Sequence, residues 1–394
     1  MRPLDGITVV SIEQAVAAPL ATRHLSDLGA RVMKVERPSG DFARQYDGSV
    51  MGQSSYFVWL NRNKESVVLD LKEPQDRAVL QSMVRDADVF VQNLAPGAVE
   101  RLGFGYEAVE RLNARIVYLS ISGYGTVGPY KDKKAYDLLA ACEAGLLSIT
   151  GSASEPARVG ISVADIATGM YAYSGILAAL IQRGRTGRGD HLHVSLLDAL
   201  GEWMAQPYLY SHYSGRPIER AGASHVTLAP YGPAATSDGT VFFSVQNQGE
   251  WERFCETVLR DRALTAHPDF ATNDRRVQHR ALLQARIEAV LGDLSTVDAI
   301  DRLEQAGIAN AILRSMAEFA AHPQLEARDR WQQVQTEQGD VRVLKSPVEA
   351  RSFEYRYDPV PWLGQHSEAI RDEFLRRRPR RPGGSVDGVA AVGD

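Results

Sequence analysis

The chain has 394 residues, of which 44% are hydrophobic and 24% are charged, with 2 cysteines and a net charge of −5. At about 150 residues per domain this length predicts two or three domains, and the apolar content excludes a disordered chain. The acidic balance argues against nucleic-acid binding, and the scarcity of cysteine favours a reducing compartment, so we expect a cytoplasmic protein.

Short strands alternate with helices in the first half of the chain. Strands are predicted over residues 7–12, 31–35, 66–71, 89–92 and 116–121, and helices over 19–28, 75–86, 138–147 and 166–182. The most apolar part of the last helix, residues 176–181, is far shorter than the ~20 residues of a membrane span, so none is predicted. This alternation predicts an α/β protein with a parallel sheet covered on both faces.

The pattern changes after Leu200. Proline and glycine mark a linker that includes residues 229–233, and Asp238-Gly239 predicts a hairpin. Helical segments then run from about residue 251 to 321, which indicates a smaller α+β domain. A strand-like stretch and a last helix precede an Arg/Pro/Gly tail over residues 376–394, which we expect to be disordered.

Two features imitate a dinucleotide-binding fold. Gly123, Gly125 and Gly128 form a G-x-G-x-x-G pattern, but Pro129 follows at once, so the pattern predicts a turn where the motif needs a helix. Glu36 ends the second strand, where a ribose-binding acid would stand, yet the first turn after a strand, residues 13–19, has no glycine. Both observations argue against a nicotinamide-dependent oxidoreductase.

No metal or hydrolase motif is evident in the sequence. P-loop, H-E-x-x-H, C-x-x-C and G-x-S-x-G patterns are all absent. His191 and His193 alternate on one predicted strand, but no cysteine or acidic pair stands nearby to complete a metal site. We therefore predict no metal.

Asp165 begins a long helix rich in small residues and allows two interpretations. As a helix N-cap, its carboxylate would accept a hydrogen bond from the amide of Ala167 or Thr168. The same position, close to the positive end of the helix dipole, keeps a carboxylate ionised, so that it is a nucleophile at neutral pH without a separate base. The local sequence leaves both interpretations open.

Ten segments, taken together, carry a resemblance to the family III (CaiB–BaiF type) CoA-transferases. They follow the family order and cover about residues 3–370. The segments are 3–7, 28–30 with 35–38, 61–64, 69–72, 92–97 with 101–103, 122–125 with 128–130, 135–137, the Asp165 segment, 185–189 and 364–366.

The resemblance implies a domain organisation. A Rossmann-like large domain with a parallel sheet would be built from both chain ends, residues 1–205 and 330–375. Linkers and an inserted small α+β domain would occupy residues 206–329, and two subunits would form an interlocked homodimer.

The resemblance also implies a reaction between an acyl-CoA and a carboxylic acid. Asp165 would be the nucleophile that carries the acyl group and then CoA, and CoA would be a substrate, with no permanently bound cofactor. For Arg101 and Lys134, an ordinary exposed position on the protein surface is the alternative to contact with CoA. The family correspondence assigns as CoA contacts Val16, Ala17, Arg37, Leu69, Lys72, Asn93, Leu94, Ala95, Arg101, Lys134 and Tyr136.

Two other functions stay open. An α-methylacyl-CoA racemase of the same fold would need a His-Asp pair where this chain has Tyr136-Asp137, and an unperturbed phenol, with a pKa near ~10, is a poor base. A non-catalytic CoA-binding subunit is the second alternative.

The acid substrate is predicted from two segments. The oxalate branch of the family has a glycine-rich loop where this chain has Gln246-Asn247-Gln248-Gly249, which argues against oxalate. Residues 13–19 look more like branches that act on small dicarboxylates such as succinate, mesaconate or itaconate. Gln246, Asn247 and His366 are candidate residues of the acid pocket.

Overall fold

The computed structural model describes residues 1–376, which divide into two units. The first comprises Met1–Tyr136, Ala164–Ala199 and the described residues from Gln332 onward. The second comprises Asp137–Val163 and Leu200–Trp331. In the predicted division, residues 137–163 belong to the large domain, whereas here they pack with the second unit. The tail predicted to be disordered lies outside the described residues, except for Arg376.

The secondary structure follows the predicted alternation. The strands are β1 (Thr8–Ile12), β2 (Arg31–Glu36), β3 (Lys64–Val68), β4 (Val89–Gln92), β5 (Val117–Ser122), β6 (Asp190–Ser195), β7 (Tyr231–Ala235), β8 (Thr240–Ser244), β9 (Ala309–Ile312), β10 (Trp331–Thr336) and β11 (Gly339–Leu344). The helices are α1 (Ala17–Asp27), α2 (Ser55–Leu60), α3 (Pro74–Asp86), α4 (Ala98–Arg101), α5 (Tyr106–Leu112), α6 (Asp137–Glu143), α7 (Leu146–Ile149), α8 (Val163–Thr186), α9 (Leu196–Trp203), α10 (Ala205–Ser214), α11 (Gln248–Arg253), α12 (Asn273–Gln278), α13 (Arg280–Leu291), α14 (Thr296–Gln305), α15 (Met316–Ala320), α16 (Pro323–Ala327) and α17 (Ser367–Arg376).

The first unit is organised around a parallel sheet. Its six strands lie in the order β3-β2-β1-β4-β5-β6, and every neighbouring pair is parallel. This is the strand order of the Rossmann fold, in which the chain reverses direction across the sheet between β1 and β4. The predicted Rossmann-like α/β class is therefore confirmed.

The two faces of this sheet differ in polarity. One face is apolar: Val10, Met33, Val35 and Phe90 pack with side chains of the covering helices in a buried core. The opposite face carries buried polar side chains, namely Ser11, Lys34, Glu36, Lys64 and Ser66. Parallel strands buried on both faces are usually apolar throughout. Buried charges must be paired, so the polar face needs a specific network of partners.

The C-terminal segment covers the outer edge of β3. The backbone N–H of Ser66 donates to Nδ1 of His366 at 3.2 Å, and that of Val68 donates to Oγ of Ser367 at 2.9 Å. Two residues of α17, Ile370 and Phe374, are buried in the apolar core of the sheet. The predicted strand over residues 66–71 is shifted, since β3 begins at Lys64 and ends at Val68.

The second unit contains a small antiparallel sheet, β7-β8-β9, with helices packed on it. The hairpin predicted at Asp238-Gly239 joins β7 to β8. Trp251, Phe254 and Ile287 form the centre of its buried core. Strand β9 interrupts the stretch predicted as helical, because its four residues, Ala309–Ile312, are too few to give a strand pattern of their own.

Helix α8 is long and apolar enough, by length and composition, to cross a membrane. A core helix of a water-soluble domain passes the same test. Ala167, Ala172 and Ile176 of α8 are fully buried. The helix therefore gives only weak evidence of a membrane span.

Candidate active site

A cavity of about 230 Å³ opens at the carboxyl ends of strands β1, β2, β3 and β4. It is lined by Ile12, Glu13, Gln14, Val35, Glu36, Arg37, Gly40, Asp41, Leu69, Asp70, Leu71, Lys72, Leu94 and Leu102. Ligands of open α/β sheets bind at this edge, where the strand order reverses. The cavity is thus the candidate binding site of the first unit.

Four predicted CoA contacts line this cavity. Leu69 is buried and Leu94 is half-buried, whereas Arg37 and Lys72 are exposed. Nε of Arg37 donates to the carbonyl of Gly40 at 3.0 Å, which leaves its other guanidinium donors for a ligand. An apolar wall with two cations beside it fits a ligand that combines an apolar part with phosphates.

The other predicted CoA contacts do not line the cavity. Val16 and Ala17 are buried at the start of α1, and the side chain of Asn93 binds the backbone of Gln14. Arg101 is exposed, and its guanidinium lies against Gly97. Ala95, Lys134 and Tyr136 are exposed as well. For these residues CoA contact stays a prediction.

Asp165 is the third residue of α8, because the helix begins at Val163. The interpretation of Asp165 as the N-cap is therefore wrong. Ser162 precedes the helix, and the spacing Ser162-x-x-Asp165 matches a capping box, a signal that places the acid inside the first turn. There the helix dipole still stabilises the ionised carboxylate.

The first turns of α8 pack closely on the first turn of α1. A Cβ at Gly169 would lie 2.8 Å from the carbonyl oxygen of Ala17 and 2.9 Å from Cδ2 of Leu20. Ile166 packs against an apolar cluster that includes Val16. Residues four apart share a helix face, so Asp165 lies one turn before Gly169 on this side of α8. Helix geometry therefore places Asp165 on the side of α8 that faces the start of α1.

Tyr46 is a further candidate site residue, which the sequence did not reveal. Tyr46 is 45% exposed as a residue, and its ring lies edge-on to Tyr56 with 5.5 Å between centroids. Partial burial, with the nearby charges of Asp165 and Asp41, raises the pKa of Tyr46 to about 12. The phenol therefore stays protonated at neutral pH, as an ordinary phenol does, and the charge of Asp165 acts on it.

Glu36 lines the cavity, but its carboxylate is fully engaged by the protein. Arg44 donates to both of its oxygens at 2.7 and 2.8 Å, and Ser66 Oγ donates to Oε1 at 2.6 Å. Burial raises the pKa of Glu36, but the hydrogen bonds from Arg44 and the charge of Lys34 outweigh it and bring the pKa to about 2. Glu36 is thus a structural anchor and is not available to a ribose.

The G-x-G-x-x-G segment forms a turn, as predicted. Gly125 and Gly128 have φ values of 92° and 89°, which favour glycine, and no helix follows them. A Cβ at Gly123 would overlap that of Ala135. The glycines therefore shape a tight turn, and the helix that the dinucleotide-binding motif requires does not follow it.

The candidate acid-pocket residues have local structural partners. Asn247 caps α11 by accepting from the N–H of Glu250 at 2.9 Å, and the N–H of Gln246 donates to the carboxylate of Glu250. Nδ1 of His366 accepts a hydrogen bond from the backbone N–H of Ser66. Across residues 1–376 no group of three His, Cys, Asp or Glu side chains is arranged to hold a metal ion.

Comparisons with known proteins identify the family. The profile of CoA-transferase family III matches residues 4–367. The chain belongs to this family. A relative from Agrobacterium fabrum, named succinate–glutarate CoA-transferase, is 34% identical over 94% of this chain and 96% of its own length. Another from Acetobacter aceti, named acetyl-CoA:oxalate CoA-transferase, is 33% identical over 94% of this chain and 96% of its own length.

A solved structure supports the same family. The crystal structure of a CAIB/BAIF family protein from Brucella suis superposes with a TM-score of 0.84 at 32% identity, covering 95% of this chain and 99% of that one. The chain is therefore an enzyme of the CoA-transferase type, and family III membership implies acyl-CoA and carboxylate substrates.

The two exposed cations at the cavity should bind the phosphates of CoA. We expect Arg37→Ala and Lys72→Ala each to raise the Kd for CoA about tenfold, since a charge-assisted hydrogen bond contributes roughly 1.5–3 kcal/mol. The wild-type affinity should also fall with added salt. Calorimetric titration at two salt concentrations measures both effects. Arg85→Ala, which removes an exposed cation at the end of α3, is the control, and equal affinities in all three variants would contradict the assignment.

Proposed function

We propose that this family III enzyme moves CoA between small carboxylic acids through a covalent intermediate on Asp165. The observation that carries the proposal is the position of Asp165 in the first turn of α8, packed against the start of α1. The adjoining β1–α1 turn contributes Glu13 and Gln14 to the candidate CoA cavity. A carboxylate stabilised in its ionised form and next to a CoA site is suited to attack a thioester.

The proposed reaction exchanges acyl groups between oxygen and sulfur. A carboxylate oxygen of Asp165 attacks the thioester carbonyl, the C–S bond breaks, and CoA leaves as the thiolate. The thiolate attacks the aspartyl carbonyl of the mixed anhydride, which releases the donor acid and leaves an aspartyl-CoA thioester. The acceptor carboxylate attacks the aspartyl carbonyl of that thioester, which releases the CoA thiolate and forms a second mixed anhydride. The thiolate then attacks the acceptor's carbonyl in this anhydride, which gives the new acyl-CoA and frees the carboxylate of Asp165.

Each of these steps is an acyl substitution, so none needs an oxidant or a reductant. We therefore propose that CoA acts as a substrate and that no metal or cofactor is resident. Water would hydrolyse both the anhydride and the thioester, so exclusion of water and stabilisation of the oxyanion are the main demands on the site.

The acids are proposed to be small dicarboxylates. The relative named succinate–glutarate CoA-transferase supports this class, as does the resemblance of residues 13–19 to branches that act on succinate, mesaconate or itaconate. Oxalate is the second candidate, because another relative is named for it. Residues 246–249 contain one glycine and begin a capped helix, which argues against a mobile oxalate-type loop.

We also propose that the enzyme is a homodimer in the cytoplasm. Trp203, Tyr208, Leu209 and Tyr213 of the second unit are 48–77% exposed on α9 and α10. Several large apolar side chains exposed on consecutive helices are typical of a surface covered by another chain. The scarcity of cysteine in the chain supports a reducing compartment.

The proposal is tested by trapping the intermediate. The protein is incubated with succinyl-CoA and isotope-labelled glutarate or oxalate, with and without hydroxylamine, and in a parallel reaction with a 2-methyl-branched acyl-CoA in D2O. We expect labelled acyl-CoA and a mass adduct on the peptide that contains Asp165. Deuterium at the α-carbon of a branched acyl-CoA without CoA exchange would indicate the racemase, and CoA binding with neither product would indicate a non-catalytic subunit. Either result would overturn the proposal.

A further inference from the structure

The turn between β1 and α1 adopts an unusual backbone conformation. Ala15, which lies in this turn, has a φ of 63°. Residues with a Cβ rarely adopt this left-handed region, and glycine usually occupies such positions. The turn, residues 13–16, has no glycine. Other groups must therefore hold its backbone in place.

Side chains from two neighbouring loops clamp this backbone. The N–H of Gln14 donates to Oδ1 of Asn93 at 2.9 Å, and Nδ2 of Asn93 donates back to the carbonyl of Gln14 at 2.8 Å. The N–H of Ala15 donates to Oδ1 of Asp41 at 3.2 Å. Two consecutive residues of the turn are thus fixed by side chains distant in sequence.

A buried ionic network anchors the start of the same turn. Nζ of Lys64 lies 2.7 Å from Oε1 of Glu13, and Oγ of Thr22 donates to Oε2 of Glu13 at 2.6 Å. Nζ of Lys34 lies 2.8 Å from Oδ2 of Asp41 and donates to the carbonyl of Glu13 at 3.3 Å. The side chains of the two lysines and the two acids are fully buried.

Stability alone does not explain this network. Its charges balance, but desolvation of buried ions offsets much of their attraction, so apolar side chains of similar volume would often stabilise a core at least as well. The network also connects the cavity, lined by Glu13 and Asp41, with the first turn of α1. That turn touches Gly169, one helical turn after Asp165.

We infer that Glu13, held by Lys64 and Thr22, is a positioning residue: it fixes the β1–α1 turn and thereby places the start of α1 against the helix that carries Asp165. The inference rests on the proposed role of Asp165. Displacement of a reacting group by about 1 Å lowers a rate by roughly 100-fold. Because Lys64 and Thr22 already engage the carboxylate of Glu13, we expect the network to act on the rate of transfer more than on CoA affinity.

The test compares Glu13→Gln with Glu65→Gln. Glu65 on β3 forms an ion pair with Arg31 at 2.8 Å, and it contacts neither the turn nor the cavity. We expect Glu13→Gln to lower kcat for transfer from succinyl-CoA to glutarate by about 10- to 100-fold, with KM for succinyl-CoA changed less than about threefold. Glu65→Gln should keep the wild-type kcat. A wild-type kcat in Glu13→Gln, or the same loss in both variants, would overturn the inference.

A milder pair of variants covers the case in which Glu13→Gln does not fold. Thr22→Val removes the hydroxyl that donates to Glu13 and keeps the side-chain shape, whereas Thr22→Ser keeps the hydroxyl. We expect a severalfold lower kcat in the valine variant and a wild-type kcat in the serine variant. Equal kcat values in both would contradict the inference.

Hydrogen exchange separates this inference from the proposed function. If the wild-type protein transfers no CoA, the proposed function fails, and amide exchange still reports on the turn. Faster exchange at residues 13–18 in Glu13→Gln, but not in Glu65→Gln, would support the positioning role. Unchanged exchange in both would overturn it.

Discussion

Replacing Asp165 by Ala is expected to lower the rate of CoA transfer by at least about 1,000-fold, as removal of a covalent nucleophile does in other enzymes. Alanine is a good helix former, so α8 should persist and lose only the stabilisation of an acid in its first turn, about 0.3–1 kcal/mol. CoA binding, measured by calorimetry, should stay within about threefold of the wild-type value because the cavity does not include Asp165.

The isosteric variant Asp165→Asn provides the control for this result. It keeps the shape of the side chain and a hydrogen-bond acceptor but is not charged, so it should be as inactive as Asp165→Ala in a short assay. A transfer rate in either variant close to that of the wild type would show that the nucleophile is another group. Loss of CoA binding along with activity would indicate a folding defect instead.

Replacing Gly169 by Ala is expected to lower both the free energy of unfolding and the transfer rate. The new Cβ would come within 2.8 Å of the carbonyl oxygen of Ala17, and backbone cannot move aside as a side chain can. Overpacking of this kind costs about 1–3 kcal/mol. Because α8 must shift away from α1, Asp165 should move with it. Urea unfolding and steady-state kinetics measure the two effects.

Gly184→Ala in the same helix is the matched control. Apart from the adjoining backbone of α8 itself, no atom lies within 4 Å of a Cβ at Gly184, so this change should stabilise the helix by up to about 1 kcal/mol and leave the rate unchanged. If Gly169→Ala matched Gly184→Ala in both measurements, the close contact between α1 and α8 would not bear on the reaction.

Local patterns predict most of the large unit but not its polar face. Apolar β-branched runs indicate β1, β2, β4 and β5, because these strands are buried between covering helices. The start of β3 was missed because Lys64 and Glu65 do not resemble a strand. Lys64 is buried only because Glu13, 51 positions away, is its partner. No local pattern reveals such a pair.

The candidate site, too, was predicted from the sequence only in part. Four of the predicted CoA contacts line one cavity, because family motifs at the ends of parallel strands converge at one edge of the sheet. The capping-box spacing Ser162-x-x-Asp165 predicts the position of Asp165 in the first turn of α8. The roles of Tyr46, Asn93 and Asp41 depend on contacts between separate loops, and these arise only in the folded chain.

The contribution of α17 to the core of the parallel sheet has a consequence for biosynthesis. The six strands of that sheet are complete by Ser195, yet Ile370 and Phe374 enter its core only when the last part of the chain has been made. The whole second unit is therefore synthesised before the core of the first unit can be completed. We expect nascent chains that end before Ser367 to expose the edge of β3 and to depend on chaperones until synthesis is finished.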